Sequence, residues 1–169
     1  MDIQILTNYF ERYGDIVIFV IVLLEYMNMP GFPSGVIMPL AGIWASRGNI
    51  GFIPALSMSV LAGLCGSWIL YFIGRFGGEI VLQKYIKRFP KHKATIDRTI
   101  ETVRSKGYIG IFISKLIPVL RTVISIPAGV LRIRFYGFTI ASLMGILVWN
   151  LVFVGAGYLF GEAVITMLG

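Results

Sequence analysis

The 169-residue sequence contains one cysteine, Cys65, and one histidine, His92. A lone cysteine excludes an intrachain disulfide, and Cys65, set in an apolar run, reads as a small packing residue. One Cys and one His do not make a metal-ligand cluster, so no metal and no cofactor are expected. No nucleophile elbow and no phosphate-cradling glycine loop is present. The triplet Pro33-Ser34-Gly35 shares part of a lipid-phosphatase signature, but that chemistry needs a histidine nucleophile and a second histidine. His92 lies in a basic surface turn, where it reads as solvated, and the expectation is a protein that is not an enzyme. The start, Met1-Asp2-Ile3-Gln4, has no basic n-region and no early cleavage site, so no cleavable signal peptide is expected.

Charge is also scarce, at 14% of residues, and long stretches carry none. What fills them is apolar: 57% of the chain is hydrophobic, with a mean hydropathy of +0.83. This composition belongs to an integral membrane protein rather than to a soluble domain with a large core. The net charge of +7 would suit nucleic acid, but the apolar bulk argues against it. Basic loops facing anionic lipid headgroups explain it better, so lipids and not nucleic acid are the expected partners. The length suits a single domain, 1–169.

Residues 1–13 are mixed and read as a short interfacial helix. From Ile16 an apolar run continues to Arg47, interrupted by Glu25. It is too long for one simple helix and is cut by Pro30, Pro33 and Gly35. The expectation is a membrane helix at 15–29 and then a hairpin at 30–47 that dips in and returns, with a second break near Pro39 and Gly42. Residues 49–74 carry no charge and reach the ~20 residues a spanning helix needs. Gly63 and Gly66 suit close helix packing, and Trp68, Tyr71 and Phe72 stand where an aromatic belt would be. A further uncharged run, 135–161, gives a third full transmembrane helix.

Residues 75–106 are different. They hold Arg75, Lys84, Lys87, Arg88, Lys91, Lys93, Arg98, Arg104 and Lys106 against Glu79, Asp97 and Glu101. Val81, Tyr85 and Phe89 recur every four residues, as do Ile96 and Ile100, followed by Val103. Two amphipathic surface helices are expected, with a turn at Phe89-Pro90-Lys91. The positive-inside rule puts this loop in the cytoplasm of a multi-pass protein. Arg132 and Arg134 read as a second cytoplasmic stop.

The stretch 115–129, KLIPVLRTVISIPAG, is apolar yet holds Lys115, Arg121, Pro118 and Pro127. Each proline lacks an N–H and disfavours helix at the residue before it. A broken backbone at membrane depth is tolerated where protein covers it or it lines a wet cavity. A cation there costs about 2.5–3.5 kcal/mol on insertion scales and marks function by default. A juxtamembrane segment whose cations snorkel to the interface is the competing reading.

Two halves echo each other, roughly 15–79 and 107–162. Pro30 and Pro39 are spaced as Pro118 and Pro127 are. Pro39-Leu40-Ala41-Gly42 parallels Pro127-Ala128-Gly129, the segment around Trp68 and Gly74 parallels that around Trp149 and Gly155, and Gly78-Glu79 parallels Gly161-Glu162. With 75–106 inside, the hairpin at 30–47 opens outward and that at 107–131 opens inward. The expected fold is therefore all-α: an inverted repeat with two re-entrant hairpins facing each other and about three full spans. Inverted repeats with broken segments in matching places point to a transporter with its site at the repeat interface.

At these residues the sequence resembles the DedA family, whose wider group includes eukaryotic VTT-domain lipid scramblases. The resemblance is carried by Glu25, Pro33-Ser34-Gly35 with Pro39 and Gly42, the glycine-rich segment Tyr71 to Gly77, Lys115 and Pro118, Arg121-Thr122, Pro127-Ala128-Gly129 and Trp149, over about 15–162. It implies a bacterial plasma-membrane protein that moves a lipid phosphate, undecaprenyl phosphate in Gram-positive members, recycled as carrier lipid for the envelope. Phosphatidylethanolamine or general phospholipid scrambling is the family alternative, and a structural or subunit role without transport is a second one. The sequence departs from the family at Gly35, where an acid is common, and at Lys115, where arginine is common. The final C-terminal helix of many relatives is not expected here.

For such a cargo, Arg121 suits phosphate because guanidinium stays charged and grips with two bonds. Lys115 would be a compact second charge, with Ser34 and Thr122 as hydroxyl donors. Glu25 would act as counter-charge or proton carrier, coupling transport to a proton or sodium gradient. The alternative role for Glu25 and Arg121 is a structural brace between the hairpins. Three spans and two hairpins leave a homodimer as a further expectation.

Overall fold

The computed structural model describes residues 16–27, 37–47, 51–90, 93–118 and 120–168. Seven helices are described: α1 (Ile16–Tyr26), α2 (Ile37–Arg47), α3 (Phe52–Arg88), α4 (Lys93–Lys115), α5 (Leu120–Val123), α6 (Ser125–Val130) and α7 (Phe135–Leu168), with no strand among the described residues. The all-helical expectation holds. Pro30, Pro33, Ser34, Gly35 and His92, the 1–13 helix and the side chains of Val81, Tyr85 and Glu162 lie outside the described residues.

Among the described residues two stretches are long and apolar enough to cross a bilayer: Phe52–Ile80 in α3 and Phe135–Gly161 in α7, 29 and 27 residues long. Their outer faces carry large exposed apolar residues, among them Ile53, Phe76, Leu151, Val152 and Leu159. The interior holds the charge, with Glu25, Lys115 and Arg121 buried. Grease outside and charge inside is the arrangement that a hydrocarbon solvent selects. Of the first expected span, 15–29, the described part is the shorter helix α1.

The chain bends where glycine allows it. α3 passes through Gly78 at φ 54°, ψ −145°, and α4 through Gly107 at φ 56°, ψ −129°. These are backbone conformations that side-chain-bearing residues rarely adopt. The two bends bracket the basic segment expected at 75–106 and shift its edges to 78 and 107. α3 ends at Arg88, where the turn was expected; Phe89 and Pro90 of that turn are described and Lys91 lies outside the described residues. Ile96 and Val103 are buried and Ile100 half-buried, as the periodicity implied, but Phe89 is 37% exposed. The buried stripe on that side is instead Leu82 with Ile86, which join Ile96 against Val123 and Ile126. The surface helices thus cover the broken segment.

Two expected breaks are corrected. α2 runs unbroken through Pro39 and Gly42, and Pro127 sits inside α6. At Pro127 the helix continues across the missing N–H, with Ile124 N–H donating to Leu120 O at 2.9 Å and Ala128 N–H to Ile124 O at 3.0 Å, so the proline costs a bond without turning the chain. The interruption expected at Pro118 is real: α4 ends at Lys115, and Ile117 and Pro118 form a bend. At Ile124, between α5 and α6, the bonding pattern lapses but the backbone stays helical, at φ −55° and ψ −31°. α6 ends in a Schellman turn, with Arg132 N–H donating to Gly129 O and Ile133 N–H to Ala128 O. Arg132 takes the left-handed position at φ 52°.

Packing crosses between the halves. α2 lies along α7, and α6 lies along α3. A Cβ on Gly42 would collide with Val154 O and Tyr158 N, and one on Gly129 with Tyr71 O and Arg75 N. Reciprocally, Gly157 abuts the Pro39 carbonyl and Gly74 the Ile126 carbonyl. Each short helix therefore seats a glycine between two residues four apart on the other half's long helix, and that helix offers a glycine back. Backbone contact this close is the membrane solution to helix association, where apolar burial gives no drive.

Candidate functional site

α1 crosses α3 over Gly63 and Gly66, where the Tyr26 side chain takes the space a Cβ would need. This docks the end of α1, with Glu25 and Tyr26, against the interior. α5 brings Arg121 to the same place, because the break after Lys115 lets the chain turn inward. Arg121 is 0% exposed.

The Arg121 guanidinium is held from several sides. Nη2 forms a salt bridge with Glu25 Oε1, both side chains fully buried. Nη1 donates to the Tyr26 hydroxyl at 3.2 Å. The cation lies 4.6 Å from the Tyr26 ring centroid and 5.0 Å from that of Trp149, inside cation–π range. A polar relay continues outward. The Tyr26 hydroxyl donates to Asn150 Oδ1 at 3.2 Å, Asn150 Nδ2 donates to Ser59 Oγ at 3.1 Å, and Ser59 donates to Leu56 O at 2.8 Å. Two N–H groups at the centre, Arg121 Nε and Trp149 Nε1, are buried with no acceptor.

Lys115 stands beside this group and is 1% exposed. Its ammonium donates to Ser67 Oγ at 2.8 Å, Arg121 O at 2.9 Å and Ser125 Oγ at 3.1 Å. All three of its donors are satisfied, two of them by the broken segment itself, so Lys115 ties α5 and α6 to α4 and α3. The Arg121 carbonyl that it caps follows a turn in which regular helix bonding has lapsed. Thr122 is buried next to Arg121.

The structure thus brings Glu25, Lys115, Arg121 and Thr122 into one interior region and seats Gly42 and Gly129 at helix contacts, with Pro127 buried in α6. Sequence reasoning missed Tyr26, Ser59, Ser67, Ser125 and Asn150. Asn150 carried a legible signal, as the one amide within the uncharged run 135–161.

A helical bundle with apolar flanks, interrupted backbone inside and a buried arginine–carboxylate pair at its centre suits a membrane protein, where charge is kept away from hydrocarbon. A VTT domain model matches residues 30–159. The chain is 34% identical over 151 residues to undecaprenyl phosphate transporter A of Staphylococcus aureus, covering 87% of this chain and 74% of the relative. It is 36% identical over 130 residues to undecaprenyl phosphate transporter A of Bacillus subtilis, covering 77% and 66%. It is also 27% identical over 164 residues to an alkaline phosphatase-like protein of Lactococcus lactis subsp. lactis, covering 94% and 76%. No solved structure matches. The chain belongs to the VTT-domain, or DedA, family of membrane proteins.

Proposed function

We propose that this protein carries a lipid phosphate, undecaprenyl phosphate, across the bacterial plasma membrane, with Arg121 as the residue that receives the phosphate. The observation that carries the reading is a fully buried arginine in an interrupted helix whose guanidinium Nε has no acceptor. A buried donor left unpaired costs about 1–3 kcal/mol, a cost that an incoming phosphate oxygen would remove. The indole N–H of Trp149 would serve the same oxygen cluster. The names of the two transporter relatives agree with this cargo.

In this reading Glu25 neutralises Arg121 until phosphate displaces it, and a carboxyl so displaced can carry a proton. Lys115 keeps its bonds and supplies field rather than direct contact. Ser34 remains a proposed hydroxyl donor and Thr122 a second. The segments 30–47 and 107–131 act as re-entrant hairpins of an inverted repeat, and the reciprocal seating of Gly42 and Gly129 supports that symmetry. The basic segment bracketed by Gly78 and Gly107 faces the cytoplasm, as its charge requires. Transport rather than hydrolysis is favoured, because a chain with one histidine and one cysteine lacks a phosphatase's usual nucleophile and metal ligands.

The test is reconstitution. Purified protein in vesicles is expected to move labelled undecaprenyl phosphate between leaflets faster than phosphatidylethanolamine, and Arg121→Ala to abolish the movement while still inserting. Full translocation by the doubly reversed Glu25→Arg, Arg121→Glu chain would show that the pair only braces the fold.

A further inference from the structure

The arginine centre is sealed, but a groove opens elsewhere. A cavity of about 620 Å³ lies between the last turns of α4 and the first turns of α7. Tyr108, Ile109 and Phe112 form one wall, Tyr136, Ile140 and Met144 the other, and Arg134 is its charged lining residue. Gly137 makes the groove's outer end possible, because the Tyr108 ring lies where a Cβ would be, its Cδ1 only 2.8 Å from that point.

Two boundaries in the sequence meet at that end. On α4 the charged segment with Arg104 and Lys106 stops at the Gly107 bend, and Tyr108 begins an apolar one. On the other wall Arg132 and Arg134 precede the apolar stretch that starts at Phe135. Contact of Tyr108 with Gly137 sets the two boundaries side by side, so Arg134 stands at headgroup depth and the rest of the groove in hydrocarbon. Tyrosines at such a level are the usual interface residues. The inner end abuts the sealed centre, since Gly145 packs on the Lys115 side chain and the Phe112 carbonyl.

We propose that this groove is a lateral docking subsite for a polyprenyl monophosphate, with the phosphate on Arg134 and the head-proximal isoprene units between Ile109, Phe112, Ile140 and Met144. The charge at one end calls for an anion, and the uncharged walls call for hydrocarbon. One groove between two helices suits a single chain rather than the paired chains of a diacyl lipid. Its volume is within the about 300–1,000 Å³ of small-ligand pockets, enough for the first part of a long tail. The proposal deepens the transport reading by naming where the cargo rests at one face of the membrane, yet binding here can be tested without transport.

The experiment uses the full chain in nanodiscs with a polyprenyl monophosphate bearing a photoreactive group in its first isoprene units. Labelling is expected to concentrate in peptides 108–112 and 136–144 and to be displaced by unlabelled polyprenyl phosphate in preference to phosphatidic acid. Arg134→Gln is expected to weaken labelling about tenfold, as for loss of one charge-assisted contact, and Ile140→Trp to block it by filling the groove. Both residues are exposed, so folding is checked by an unchanged melting temperature. Equal labelling of the outer faces at Leu151, Val152 and Leu159 would overturn the proposal, as would equal displacement by phosphatidic acid or cross-linking of the groove to a second copy of the chain. Labelling without translocation would sink the transport reading alone, and translocation with an unlabelled groove would sink the subsite alone.

Discussion

Arg121 illustrates how a residue's cost and its use are the same property. A buried ion pair gains little over a well-packed apolar pair, but removing one partner strands the other charge, at about 3–5 kcal/mol. Arg121→Gln leaves the Glu25 carboxylate in an interior lined by Tyr26 and Trp149. The single variant is therefore expected to lower the thermal midpoint in detergent sharply. Adding Glu25→Gln replaces two charges by two amides and is expected to recover most of that loss, while lipid translocation stays abolished. A double variant that regained translocation with its stability would show that the guanidinium does not hold the cargo. Glu25 and Arg121 were legible in the sequence for a plain reason: a charge in an apolar run has few places to go. The relay through Asn150 and Ser59 was not legible, because serine and asparagine bond to their own helix as readily as to another.

The elements were read less evenly. Proline spacing located the break after Lys115, yet the same rule wrongly cut α2 at Pro39 and α6 at Pro127. A proline that ends a helix and one that a helix runs through at the loss of a single bond look alike in sequence. Glycine was ambiguous in the same way. Gly129 and Gly155 are both small residues in apolar helices, but a Cβ on Gly129 would lie 2.7 Å from Arg75 N, whereas nothing lies within 4 Å of one on Gly155. Gly129→Ala is expected to force α6 off α3 and to cost about 1–3 kcal/mol, as overpacking does. Gly42→Ala is expected to cost a similar amount, since it meets Tyr158 N at the same 2.7 Å. Gly155→Ala removes a poor helix former from open space and is expected to stabilise by up to about 1 kcal/mol. Chemical or thermal unfolding in detergent ranks the three, and an unharmed Gly129→Ala would refute the close approach.

At the scale of the molecule, hydropathy and charge order fix which ends of α3 and α7 go together, and local periodicity does not. The amphipathic stripe of Ile96 and Val103 announced a buried face without saying that the face covers Val123 and Ile126 of the broken segment. The exchange of short helices between halves is equally invisible in either half alone. It has a consequence for orientation that can be measured. If each half seats its short helix on the other's spanning helix with opposite sense, the start of α3 and the basic segment after Gly78 must lie on opposite sides of the membrane. Cys65 is the single native thiol, so Cys65→Ser gives a silent background. In that background Arg98→Cys is expected to react with a membrane-impermeant maleimide only in inside-out vesicles, and Gly51→Cys only in right-side-out ones. Both positions are exposed, so a missing signal cannot be put down to burial. Reaction of both from the same side would rule out α3 as a full span, and with it the two-sided access that carrying a lipid phosphate across the bilayer demands.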